Sequence, residues 1–306
     1  MAFNTEARAA LVFLILYTVL FVLLILGYLA GRLRLRSRYT LIAFHVAIRL
    51  AAQSTGLAFG ILGFSNIGVL IAYFTLNTEG YFTLVLCAYR FLISWHYHNL
   101  EAHDSWLEPR LLPDTPALRR FLDSFSLDGP KRNLMAIMHY LLVAANALIV
   151  AGGSSLAGAQ RSLEVYNERL HKAMIMRTVG QAIFLAFTML FILCVLYTMW
   201  QYHHEKSRGK MHLTLVILIS AWPFLMVRGV YGILSGVYSP FNYFFPGNYA
   251  KDGLKTSFVI SEYVLSTAME WSTCSLLMLS YITSQDDPPK PPLPSWKKDK
   301  EGLTNS

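Results

Sequence analysis

Charge is scarce in this 306-residue chain. Asp, Glu, Lys and Arg make up 14% of it against 55% hydrophobic residues, which points to lipid as the main solvent. Cysteine is rarer still. Cys87, Cys194 and Cys274 all fall inside apolar runs, which argues against a disulfide framework and leaves small apolar packing as their role. No Asn-x-Ser/Thr sequon occurs, so glycosylation gives no check on topology. Walker loops, Rossmann glycines and nucleophile elbows are missing, and with them any motif for nucleotide or acyl chemistry. The last apolar run has no lysine, so a retinal Schiff base of the rhodopsin type has no attachment point. Ala88-Tyr89-Arg90 lacks the acid of the receptor Asp-Arg-Tyr motif, and Asn-Pro-x-x-Tyr is absent from the last run.

What the chain does have is seven apolar stretches, at about 10–30, 40–62, 67–95, 134–157, 173–200, 213–236 and 257–282. A bilayer core about 30 Å thick takes about 20 helical residues. The expected fold is therefore an all-α membrane protein, a seven-transmembrane-helix bundle formed by residues 1–283. Residues 284–306 would form a disordered, Pro- and Lys-rich tail. The first stretch is followed by Arg32, Arg34, Arg36 and Arg38 and by no small-residue cleavage site, so it reads as a retained span.

The net charge of +8 does not imply nucleic acid, because the basic residues sit in short loops beside the spans. With the N-terminus outside, the cytoplasmic segments hold four, five, three and four Lys or Arg, sixteen in all, against six outside. The positive-inside rule then places the N-terminus outside and the C-terminus in the cytoplasm. Span length does not distinguish the plasma membrane from an endomembrane.

Two loops have further content. In 96–133, Thr115-Pro116 opens a helix in which Leu118, Phe121, Leu122 and Phe125 recur at helical spacing beside Arg119 and Arg120. This reads as an amphipathic helix on the inner leaflet, with a cytoplasmic protein partner as the alternative. Residues 161–172 read as an outward extension of the fifth helix. In the third span, Asn77, Thr78, Glu79 and Gly80 predict a kink, or a displacement of the span toward 78–96.

Ionisable residues at membrane depth are costly and are functional candidates by default. His45, Arg49 and Gln53 recur at i,i+4, which puts them on one helical face. Arg228 follows Trp222-Pro223, where proline permits a kink, and the last span carries Glu262 and Glu270. Helical rise places Arg49 and Glu270 near mid-membrane and Arg228 slightly outward, with Glu262 and Arg177 in the outer third. The candidate ligand-binding set is His45, Arg49, Gln53, Arg228, Glu262 and Glu270. Either it is a structural ion-pair network or it lines a polar cavity for a small amphiphilic molecule.

No catalytic residue, cofactor or metal is assigned. The histidines at 96, 98, 103, 203, 204 and 212 do not reproduce the HxxxH and HxxHH pattern of membrane di-iron enzymes, and they read as interfacial residues beside Trp95 and Trp200.

Three segments carry a family likeness: residues 45–53 (HVAIRLAAQ), 77–80 (NTEG) and 223–231 (PFLMVRGVY). On these the chain resembles a family of fungal seven-helix integral membrane proteins of unknown function. More distantly, its architecture is similar to that of the RTA-like lipid-translocating exporters. The resemblance implies an integral membrane protein of unknown function, and the buried charges make binding or transport of a small amphiphilic molecule, with Arg49, Arg228 and Glu270 lining the cavity, the leading reading. A seven-helix receptor or a membrane enzyme using Glu270 or Glu262 remains open beside it.

Overall fold

The computed structural model describes residues 4–35, 37–100, 105–108, 133–155, 163–206, 212–251 and 253–284. The expected amphipathic helix at 115–125 and the expected tail beyond Ser284 lie outside these residues.

The apolar runs form long helices, and asparagine starts three of them. α1 (Thr5–Leu29), α3 (Ile67–Asn99) and α4 (Leu134–Ser154) begin where Asn4, Asn66 and Asn133 accept from backbone N–H groups of the first turn, at 2.8–3.1 Å. α2 (Tyr39–Leu62) stops at Gly63, whose φ of 59° lies in the left-handed region that glycine reaches without strain. α5 (Leu163–Lys206) has 44 residues, about 66 Å of helix, so it must extend well beyond a 30 Å hydrocarbon core. It starts inside the segment read as its outward extension. α6 (Leu213–Val237) carries Pro223 within it.

Between α6 and the last helices lies a compact cap. It has two 3₁₀ turns (Ser239–Phe241 and Pro246–Asn248) and an antiparallel pair, β1 (Tyr249–Ala250) and β2 (Gly253–Leu254). Asn248 holds it together by donating to the carbonyls of Ser239 and Asn242, each at 2.8 Å.

The last rod consists of α7 (Thr256–Glu262), a π-helical turn (Tyr263–Thr267) and α8 (Ala268–Thr283). It is continuous, since the Ala268 N–H reaches the Tyr263 carbonyl across the π turn. One end lies beside the start of α1, where the Thr5 and Thr256 hydroxyls are 3.2 Å apart. At the other end Arg38 donates to the Ser284 hydroxyl at 2.6 Å, beside the start of α2.

Six helices, including α1 to α4 and α6 at full length, are long and apolar enough to cross a membrane, which makes this a multi-pass membrane protein. The last rod, expected as a seventh span, is not among the six because the π turn divides it into pieces of 7 and 16 residues. α1 packs on α2, α2 on α3, α4 on α5, and α6 on both α5 and α8. The lipid-facing stripe of α1 is plain: Val12, Ile15, Val19, Leu23 and Leu26 are each more than half exposed, at intervals of three and four. In water that stripe would be an aggregation liability.

α3 differs from expectation. It runs unbroken from Ile67 to Asn99 through Asn77 and Gly80. Each residue that suggested an interruption has a partner or a purpose there. Thr78 returns its hydroxyl to the Phe74 carbonyl at 2.8 Å, and Glu79 accepts from Asn146 of α4 at 2.8 and 2.9 Å. Asn77 and Gly80 serve the polar centre. Tertiary contacts outweigh their weak helix propensity.

Candidate polar site within the helix bundle

The helical spacing of α2 aims His45, Arg49 and Gln53 inward, and all three are fully buried. Arg49 extends to Glu270 of α8, with Nη2 2.9 Å from Oε2. Arg228 of α6 approaches the same carboxylate from the other side, with Nε 2.5 Å from Oε1. Two guanidiniums thus share one carboxylate, and neither side of the cluster is appreciably exposed. Each guanidinium also lies near an aromatic face: Arg228 is 5.0 Å from the Tyr81 ring centroid and Arg49 is 5.9 Å from that of Tyr17.

Gly80 makes room for this cluster. A Cβ there would lie 2.4 Å from Glu270 Oε2 and 2.8 Å from Arg49 Nη1. The ion pair therefore occupies the volume where any other residue of α3 would place its side chain. Gly229 acts similarly one helix away, where a Cβ would meet the Tyr81 hydroxyl at 2.4 Å. That hydroxyl is 2.7 Å from Thr188 Oγ1.

Asn77 links this centre to a second one. Its Oδ1 accepts from Arg49 Nη1 at 2.8 Å, and its Nδ2 donates to Glu262 Oε1. Tyr243 of the cap donates to the same oxygen at 2.6 Å. Burial, followed by the nearby Glu262 charge, pushes the Tyr243 phenol well above its usual range, so it stays a donor. Farther along, Tyr263 donates to Glu6 at 3.1 Å and lies 3.5 Å from the Tyr73 hydroxyl. Glu6, in the first turn of α1, is 1% exposed.

Helical rise put Arg177 at the same depth as Glu262, and the structure gives it other partners. Its Nε donates to Ser235 at 3.1 Å, and its guanidinium lies 4.5 Å from the Tyr243 ring centroid. Among the described residues no ion pair joins Arg177 to Glu262, and Tyr243 stands between them. The expected residues otherwise divide as follows. Arg49, Arg228 and Glu270 are in mutual contact, and Glu262 joins them through Asn77. His45 lies apart, its Nδ1 2.8 Å from Thr83 Oγ1. Gln53 is buried, and neither end of its amide meets a protein partner among the described residues. Gln181 of α5 is in the same position, packed against Gly232.

The sequence reading missed Glu6, Tyr73, Tyr243 and Tyr263 as members of the network. Glu6 had a usable signal, an acid at the start of an otherwise apolar span, at the end of the bundle where Glu262 lies.

Of the histidines expected beside the tryptophans, His96 and His212 lie against Trp95 and His204 against Trp200, and His96 has a further task. It is fully buried, with Nδ1 2.8 Å from Ser105 Oγ and Nε2 2.8 Å from Thr198 Oγ1, so both ring nitrogens are engaged in holding the 105–108 segment and α5. Among the described residues no three His, Cys, Asp or Glu side chains converge on a point that could hold a metal ion.

Neither the curated proteins nor the solved structures include a match to this chain. A family profile described as "Domain of unknown function (DUF7702)" matches residues 107–266. That stretch contains Arg177, Arg228 and Glu262. His45, Arg49, Gln53 and Glu270 lie outside it. The matched region takes in α4, α5, α6, the cap and the last rod as far as the π turn, just over half of the sequence, and the chain belongs to the DUF7702 family.

Proposed function

We propose that this is a seven-span membrane protein, N-terminus outside and C-terminus cytoplasmic, that binds or transports a small amphiphilic molecule at its polar centre. The course of the last rod supports the seventh span, because it runs from the start of α1 to the start of α2. The excess of Lys and Arg in the loops on the α2 side supports the orientation. Kinship with fungal seven-helix proteins is part of this reading. The RTA-like exporters contribute an analogy of architecture.

Gln53 carries the ligand reading. A buried amide with neither end bonded costs about 1–3 kcal/mol for each unsatisfied group, and it sits one turn from a cluster holding two cations and one anion. A purely structural ion pair has no use for such an amide. A polar head that bonds to Gln53 and supplies negative charge near Arg49 and Arg228 would answer both features.

The test compares untargeted metabolite profiles of cells lacking the protein with cells expressing it. A compound that accumulates or disappears on deletion should return to its normal level with the wild-type chain, and with neither Gln53→Leu nor Arg228→Gln at equal expression. Identical profiles in all strains would sink the proposal. A second reading, an enzyme, draws on Glu6 and Glu262, each with one buried carboxylate oxygen that no described protein group bonds. It requires turnover by the purified, reconstituted chain without a partner.

A further inference from the structure

At the end of the bundle opposite Glu6, the α1–α2 loop, the start of α2 and the end of α8 enclose an open cavity of about 260 Å³. At about 30 Å³ per water, it has room for a polar group many times the size of one water. Arg32, Arg34, Ser37, Tyr39, Tyr281 and Ser284 line it. Arg32 and Arg34 are exposed, and among the described residues neither guanidinium has a carboxylate partner. Ser37 Oγ is buried with no partner among the described residues. Arg38 has a different task. It lies 4.8 Å from the Phe91 ring centroid and donates to Ser284, so it ties the cavity wall together. Leu33 also lines the cavity, and Leu29, Leu35 and Ile282, close in sequence to the lining residues, are 79%, 76% and 64% exposed.

We propose that this cavity binds the phosphate of an anionic phospholipid headgroup. Arg32 and Arg34 would supply paired charge-assisted donors, and Ser37 a hydroxyl. Leu29, Leu35 and Ile282 would lie against the acyl chains. The two arginines, without a carboxylate partner among the described residues, match a phosphate of either source. Two features select a lipid over a free anion: the exposed apolar residues nearby match hydrocarbon, and the juxtamembrane position matches the depth of a headgroup. The proposal is independent of the polar centre near Gln53, and needs the inside/outside assignment only to say which leaflet supplies the lipid.

The experiment uses the full-length chain purified in detergent. It is titrated with phosphatidylserine, with phosphatidylcholine and with inorganic phosphate, and retained lipid is counted by native mass spectrometry beside the thermal unfolding midpoint. Wild-type protein should retain phosphatidylserine in preference to phosphatidylcholine and gain thermal stability from it, while inorganic phosphate at equal concentration should not reproduce the gain. Each of Arg32→Gln and Arg34→Gln should weaken retention about fivefold, and the pair roughly 30-fold. Lys251→Gln, at the other end of the bundle, should change nothing. Equal retention of the two lipids by wild-type protein overturns the proposal, with no variant needed. So does a phosphate response equal to the lipid response, which would make the site one for free phosphate. Unchanged retention in a folded double variant overturns it as well.

Discussion

At the scale of single residues, the polar centre depends as much on a missing side chain as on the charged ones. Arg49, Arg228 and Glu270 were legible in the sequence because a charge inside an apolar run has few reasons to be there. Gly80 was legible only as a helix breaker, and that reading was wrong for a physical reason. Its value lies in the volume it leaves for Glu270 and Arg49, which no local propensity records. Gly80→Ala should therefore lower stability by about 1–3 kcal/mol through overpacking. Gly153→Ala, with nothing within 4 Å of the added methyl, should be close to neutral. Thermal unfolding of the two variants in the same detergent checks this, and equal midpoints would mean that the ion pair does not fill the space above Gly80. Glu270→Gln goes further, since it leaves two buried guanidiniums without their shared counter-ion. Its expected loss is about 3–5 kcal/mol, larger than that of Gly80→Ala in the same assay.

The elements show a similar exchange between expectation and structure. The apolar runs indicated the helices well, because 20 residues of lipid-compatible sequence leave few alternatives. The irregularity was expected in α3 and is found in the last rod. Tyr263–Thr267 has no sequence mark of a π turn, whereas its consequence can be derived. In a regular α-helix, residues eight apart differ by about 80° around the axis. A π turn absorbs one extra residue, which brings Glu262 and Glu270 to within about 20° of each other. Both carboxylates can then face α2, α3 and α6, as the contacts through Asn77 and Arg228 require. Deleting half-exposed Val264 should remove the bulge, keep the two glutamates in phase and leave a folded protein. The same deletion in regular α6, of Val227, turns Arg228 by about 100° relative to the preceding turns and should abolish folding. Size-exclusion profiles of the two deletions decide the matter. If the Val264 deletion aggregates as badly as the Val227 deletion, the π turn has some role other than phasing.

For the whole molecule, the open question is which way the bundle faces. Charge counting supplies an orientation because lysine and arginine are distributed so unevenly among the loops. The structure adds that Arg34 and Ser284 line one cavity, so the α1–α2 loop and the end of the last rod share one end of the bundle. Lys251, in the cap next to β1, belongs to the other end, where Glu6 meets Tyr263. The three native cysteines are buried, so introduced ones can be labelled over a low background. In sealed membrane vesicles whose non-cytoplasmic face points outward, a membrane-impermeant maleimide should label Lys251→Cys at once, and label Arg34→Cys only after permeabilisation. The reverse pattern would invert the orientation and move the arginine-lined cavity to the outer leaflet. That leaflet lacks the negative surface potential that attracts basic juxtamembrane segments. Labelling at both positions without permeabilisation would show that these two ends do not lie on opposite faces of one sealed membrane, and the count of seven spans would fall with it.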